Sequence, residues 1–278
     1  MERIKVKILG ISGAYRPGMN TAWFVQYALK AAEKVGRRVK EVVDLETELI
    51  DLANMEIKPC RSCMSLCMPN DGRPYKGTER KARGCPIQDD DFALKVAPKI
   101  READGFIIGS PIFGLSVTAK LRGFFERLTP LLWEGHLTYK PGVAVATGEV
   151  PRSGVEATLE DLNRAMYGGE MACVSWGMGV TGFNGPPNGP APSDPDYNTK
   201  IGAKADRYGM YLAVVNGRRV ADMAIMMKLA KQQLGEIYKR EFYLVCHPPH
   251  GEETWAWTRL DKEDEQFMQG LPAGFTVK

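Results

Sequence analysis

The run Gly105-Phe106-Ile107-Ile108-Gly109-Ser110, closed by Pro111, limits the fold more than any other stretch of the chain. Its positions are apolar or small on both sides of the alternation, so a strand there must be covered on both faces. Strands of that kind belong to parallel sheets wrapped by helices. Val143-Ala144-Val145-Ala146 repeats the pattern, and residues 4–11 read as a further strand. Helical periodicity follows Asn20-Thr21 to about Val35, with either residue as the N-cap. Residues 38–45 read as a second strand. Helices are expected near 90–103, 116–132, 154–167 and 201–238, and a last strand over 171–180. Strands and helices alternate throughout, which predicts an α/β doubly wound parallel sheet.

The join between the first strand and the first helix is a natural anion site. Unpaired N–H groups and the positive end of the helix dipole point into such a turn. Here Ser12, Asn20 and Thr21 add polar groups and Arg16 adds charge; an ordinary capped strand–helix turn would have the same outline. The Gly-Lys-Ser/Thr ending of a P-loop is absent, and Gly10, Gly13 and Gly18 have the wrong spacing for the dinucleotide fingerprint.

Four of the six cysteines fall in one aperiodic segment: Cys60, Cys63 and Cys67 close together, then Cys85 beside Pro86. Four thiolates, three grouped and one displaced, suit a four-iron four-sulfur cluster. Zinc and free redox thiols are the other readings, although zinc sites usually pair two Cys-x-x-Cys groups. Lys58, Arg61 and Arg83 are expected to lower the thiol pKa values and offset a cluster's charge. Cys173 and Cys246 read as plain buried residues. His247 and His250 read as a surface turn, and Met223, Met226 and Met227 as core or subunit contact. Trp133, Trp176, Trp255 and Trp257 are expected to pack in the core.

With a formal charge of +3 and no basic block, the chain carries no nucleic-acid footprint. No apolar run reaches bilayer length, and the N-terminus lacks signal-peptide architecture, so a cytoplasmic location is expected. Three histidines and no legible Ser-His-Asp set speak against a hydrolase.

Gly10-Ile11-Ser12-Gly13-Ala14-Tyr15-Arg16-Pro17-Gly18-Met19-Asn20-Thr21 resembles the flavin phosphate loop of the NADPH-dependent FMN reductase and iron–sulfur flavoprotein family. Ala14 stands where that family has a second serine. Two further segments match in order. Gly109-Ser110-Pro111-Ile112-Phe113-Gly114-Leu115-Ser116 resembles the loop that lines the isoalloxazine ring, and Thr147-Gly148-Glu149-Val150-Pro151-Arg152-Ser153-Gly154-Val155-Glu156 a third flavin segment, departing at Glu149 and Val155. The resemblance covers roughly residues 3–180 and implies a flavodoxin-like fold. It implies FMN held by Ser12, Ala14, Arg16, Asn20, Thr21, Ser110, Pro111, Ile112, Phe113, Gly114, Thr147 and Gly148. Cys60, Cys63, Cys67 and Cys85 would ligate a 4Fe-4S cluster, although the motif is stretched by an insertion over 68–84.

The resemblance further implies an oxidoreductase, with a ferredoxin-like protein or NAD(P)H as donor. A quinone, an oxygen species or a small organic compound would be the acceptor. Catalysis would come from the flavin, so no catalytic side chain is assigned, and a homodimer or homotetramer is implied. The alternatives are a cluster-free NAD(P)H-dependent FMN or quinone reductase, and a non-catalytic flavodoxin-type carrier. Residues 1–238 are read as the FMN-binding domain, with a cysteine loop at 55–91 and a Pro/Gly-rich loop at 181–200. Residues 239–278 are read as an extension packed on that domain or on a partner subunit.

Overall fold

In a computed structural model of the chain, residues 3–63, 67, 85–133, 135–149, 154–181 and 201–241 are described. The expectations placed on 68–84, the Pro/Gly-rich loop, Arg152, Ser153, the histidine turn and the aromatic tail lie outside them, as does the Trp133 side chain.

β1 (Ile4–Ser12) leads into α1 (Asn20–Arg38), and β2 (Val43–Asp51) returns beside β1. A π-helical turn, Phe92–Val96, runs into α2 (Ala97–Glu102), followed by β3 (Gly105–Pro111) and α3 (Ala119–Arg127). A short α4 (Thr129–Trp133) precedes β4 (Pro141–Gly148), and α5 (Val155–Gly168) follows. β5 (Ala172–Cys173) and β6 (Met178–Thr181) both pair with β4. α6 (Arg207–Leu234) and α7 (Glu236–Glu241) complete the described elements.

Every strand pair in the sheet is parallel. The order is β2-β1-β3-β4-β5, with β6 also on β4. This is the flavodoxin-like doubly wound order, in which ligands gather at the C-terminal strand ends. Alternation in the strands sorts two cores. Leu9, Ile11, Phe106, Ile108, Ala144 and Ala146 face α2, α3 and α5. Val6, Ile8, Ile107, Val143 and Val145 face α1 and α6.

Three local expectations change. The second strand lies at Val43–Asp51, not 38–45, because α1 runs on to Arg38 and a turn intervenes. The strand expected over 171–180 is two pieces on one edge, broken where Gly177 takes φ 125°. The helix expected over 116–132 starts at Ala119, capped by Thr118, and parts at Leu128.

Candidate flavin site

A cleft of about 390 Å³ opens at the C-terminal ends of β1, β3 and β4. Ala14, Arg16, Asn20 and Thr21 line it from the β1–α1 loop; Pro111, Ile112 and Phe113 line it after β3; Thr147 and Gly148 line it at the end of β4. Nine of the twelve residues expected to hold FMN therefore meet in one cavity.

The remaining three support its walls. Ser12 is fully buried, its Oγ 3.5 Å from the Ala14 amide. Ser110 Oγ donates to Pro111 O (2.7 Å) and accepts from Thr118 N (3.1 Å), so its hydroxyl fixes the loop. Gly114 sits in a tight turn behind Phe113.

The N-cap of α1 is Met19, with no side-chain cap bond, rather than Asn20 or Thr21. The first N–H groups of α1 are thus left by its own cap residue to the cleft, the arrangement that favours an anion. Asn20 spends its Oδ1 on Ala203 N (2.9 Å), which docks the start of the C-terminal helical segment onto this loop. Thr21 and Thr147 share a buried hydroxyl–hydroxyl bond of 2.6 Å, linking the β1 and β4 sides of the cleft. Ile112 N donates to Thr147 O (3.1 Å), linking the β3 side to the same residue.

Tyr15, Met19 and Glu149 also line the cleft, although the sequence marked Glu149 only as a departure from the third flavin segment and gave the other two no role at the site. Tyr15 meets Phe113 edge to face, with ring centroids 5.5 Å apart. Asp51, at the end of β2, accepts from Gly18 N (2.8 Å) and shapes the β1–α1 loop. Thr118 donates to Gly13 O (2.7 Å) and caps α3 through Leu121 N. A Thr three residues ahead of an apolar helical position is the one signal that would have marked it.

The cysteine segment is anchored at both limbs. Glu56 N donates to Asp91 Oδ2 (2.8 Å) and Asp91 N to Glu56 O (3.1 Å). Lys58 pairs with Asp89 at 2.7 Å, so its charge is committed there. Cys67 is buried, Cys63 and Cys85 are half-buried and Cys60 is exposed. Burial pushes the Cys67 thiol up, and the proximity of Cys63, Cys60 and Cys85 pushes it further. That reverses the expectation of lowered thiols at this residue. Cys67 N donates to Cys63 O (3.4 Å), which closes a turn between these two cysteines.

Among the described residues, no three His, Cys, Asp or Glu side chains converge tightly enough for a single metal ion. The donor set is four thiols without a second Cys-x-x-Cys pair, a chemistry that suits an iron–sulfur cluster better than a structural zinc.

Cys173 is half-buried and hydrogen-bonds Tyr167, rather than being a plain core residue. Trp176 is 57% exposed, against its expected core role. No helix among the described residues is long and apolar enough to cross a membrane.

Comparison with known proteins agrees with this geometry. The family model of the NADPH-dependent FMN reductases matches residues 6–178. An iron–sulfur flavoprotein of Methanocaldococcus jannaschii is 33% identical over 224 residues, spanning 80% of this chain and 100% of that protein. One from Methanosarcina thermophila is 29% identical over 163 residues, 58% of this chain and 73% of its own length. Among solved structures, RosB with bound 8-demethyl-8-formylriboflavin-5'-phosphate matches at TM-score 0.55 and 17% identity, over 98% of this chain and 100% of RosB. A flavone reductase matches at TM-score 0.51 and 20% identity, over 80% of this chain and 64% of that one. These structural likenesses establish the flavodoxin-like fold.

Proposed function

Since the chain belongs to the NADPH-dependent FMN reductase family, and so is an FMN-dependent oxidoreductase, we propose that it works as an iron–sulfur flavoprotein. In this reading Cys60, Cys63, Cys67 and Cys85 hold a 4Fe-4S cluster. Electrons pass between a ferredoxin-like or NAD(P)H donor and a small acceptor such as a quinone, an oxygen species or an organic compound. The observation that carries the reading is that buried Cys67 closes a turn with Cys63 while the Cys85 limb is tied back to the Cys60 limb through Glu56 and Asp91, in a chain whose curated relatives are iron–sulfur flavoproteins.

Bound FMN supplies hydride and single-electron chemistry, and the cluster single-electron capacity. The chain's own residues bind and orient. The α1 N-terminus and Arg16 receive the phosphate. Thr21 and Thr147 hold the β1 and β4 sides of the cleft at fixed separation. Pro111, Ile112, Phe113 and Gly148 flank the ring, with Ser12, Ser110 and Gly114 shaping the loops behind them. No side chain acts as an obligatory acid or base, so none is assigned as catalytic.

Residues 1–238 form the FMN-binding domain in this proposal, and 239–278 an extension that packs on it or on a partner subunit. The protein acts in the cytoplasm as a homodimer or homotetramer.

The test is anaerobic purification with a visible spectrum and assays of iron, sulfide and flavin. About four irons and four sulfides per chain with one FMN are expected. Flavin without iron, in protein never exposed to air, would replace this reading with that of a cluster-free NAD(P)H-dependent reductase.

A further inference from the structure

Both limbs of the cysteine segment are fastened to one helix, and a buried ion pair does the fastening. The Arg127 and Asp90 side chains are 1% and 0% exposed. Arg127 Nη1 donates to Lys58 O (2.9 Å) and to Asp90 Oδ2 (2.5 Å). Nη2 donates to Ile87 O (3.1 Å) and to Asp90 Oδ1 (3.2 Å). Asp90 accepts in turn from Lys58 N (2.9 Å) and Ala93 N (3.0 Å). One guanidinium thus cross-links the chain just before Cys60 to the chain just after Cys85.

This arrangement is a poor device for stability alone. Burying two charges costs desolvation that an apolar pair of similar volume avoids. Arg127 Nε is buried without a hydrogen-bond partner among the described residues, although the guanidinium lies 4.7 Å over the Phe92 ring. What a planar fork supplies, and hydrocarbon cannot, is fixed distance and direction to several oxygens at once.

The other end of the same helix is fixed to the flavin cleft. Thr118 at its N-cap bonds Gly13 O and the Ser110 hydroxyl. Lys120 Nζ donates to the carbonyls of Leu52, Ala53 and Met55 at 2.8–3.1 Å, and lies 5.8 Å over the Tyr15 ring.

We propose that Arg127 is a positioning residue for the cysteine site. With Asp90 it holds the Cys60 and Cys85 limbs at the separation at which the four thiolates take one cluster, and α3 fixes that site relative to the flavin cleft. The inference rests on the cluster reading given above.

The test uses iron-free protein that retains FMN, with Co²⁺ as a spectroscopic probe of the thiolate set. Iron and sulfide after reconstitution, FMN affinity and the thermal unfolding midpoint are measured beside it. The double variant Arg127→Met/Asp90→Asn removes the pair without stranding a buried charge, and Arg127→Lys keeps the charge without the fork. The double variant is expected to bind FMN and unfold as wild type does, while losing about 10–100-fold in Co²⁺ affinity, the range usual when a ligand's supporting contacts are removed. Its iron content should fall with it, and Arg127→Lys should recover part of the loss.

Wild-type Co²⁺ affinity and full iron in the double variant would overturn the proposal. So would parallel loss of FMN binding, stability and metal in both variants, which marks a purely structural pair. Wild-type protein that takes neither cobalt nor iron would remove the cluster reading and this role together, a result distinct from either variant outcome.

Discussion

Ala14 is 5% exposed and lines the cleft, yet it has no hydroxyl to offer the phosphate that the proposed function places there. A serine there would add one donor without adding a charge, and a typical net hydrogen bond contributes about 1 kcal/mol. Ala14→Ser is therefore expected to tighten FMN binding about fivefold, read from flavin fluorescence quenching on titration into flavin-free protein. An unchanged or weaker Kd would mean that the Ala14 position does not face the phosphate. That Ala14, Arg16, Asn20 and Thr21 share one wall of the cleft was legible in the sequence because strand, turn and helix start are contiguous. Arg127 and Asp90 were not. Their partnership spans 37 positions and joins α3 to the bend ahead of the π-helical turn, and neither periodicity nor a motif marks a buried fork of that kind. Lys58 shows the same limit. Its proximity to Cys60 in sequence predicted a role on the thiols, but the fold gives its charge to Asp89.

Elements read well where both faces or one stripe are buried, and poorly at edges and turns. β3 and β4 were found because burial makes them continuously apolar. β2 was displaced because it lies at the sheet edge, where Asp44, Glu46 and Glu48 interrupt the pattern. The loop after β3 was legible from Gly109-Ser110-Pro111, but its left-handed pair was not. Phe113 and Ser116 exchange backbone hydrogen bonds of 3.0 and 3.1 Å around Gly114 and Leu115, both left-handed at φ 57° and 62°. Such a turn favours Asn or Gly, and a leucine there costs about 1–2 kcal/mol. Leu115 is 63% exposed, so little burial offsets that cost. Leu115→Asn should raise stability by about 1 kcal/mol in urea unfolding without altering FMN affinity; a lowered midpoint would assign the leucine side chain a contact of its own. The α1–α6 packing gives the opposite case. A Cβ added at Gly217 would lie 2.2 Å from Ala28 O and 2.9 Å from Ala28 C, where backbone meets backbone. Helix propensity alone makes Gly→Ala favourable by about 1 kcal/mol. Overpacking costs about 1–3 kcal/mol or more. Gly217→Ala is accordingly expected to lower stability by about 2 kcal/mol or more, and a stabilised variant would show that the two helices do not cross there.

At the scale of the molecule, a formal charge of +3 says nothing about where charge collects, and the fold gathers lysines far from the cleft. Lys140 lies just before β4, at the N-terminal ends of the strands. Its Nζ donates to Ile100 O (3.3 Å) and Arg101 O (3.2 Å) at the end of α2. Lys228 and Lys231 arrive from α6, and Lys228 binds Asp104 at 2.7 Å. Burial lowers the Lys140 pKa to about 8, with Lys231 and Lys228 lowering it further and Asp104 opposing them. Lys231 is lowered too, again chiefly by burial. The unfolded chain holds these protons up to the ordinary lysine range near 10.4. Above pH 8 the unfolded state therefore binds more protons than the folded state, and the free energy of unfolding rises with pH. Below pH 8 both states carry the Lys140 proton, so its contribution is flat there. Each such group adds at most about 1.4 kcal/mol per pH unit. Glu48 and Asp90 act at the other end. Burial opposes both carboxylates, but hydrogen bonds from Lys99 and Lys7 to Glu48, and from Arg127 to Asp90, hold their pKa values below the usual range. Their stabilisation is complete above the unfolded carboxylate pKa and is lost as pH falls through the lowered values, so it does not vary between pH 7 and 10. The raised Cys67 and Cys173 thiols pull the other way above the ordinary thiol range, but equally in both proteins, so from pH 7 to pH 10 the slope of the urea midpoint with pH should be more positive in the wild type than in Lys140→Met. Equal slopes in the two proteins would show that Lys140 titrates as an ordinary surface lysine, and that the three-lysine cluster is hydrated rather than packed.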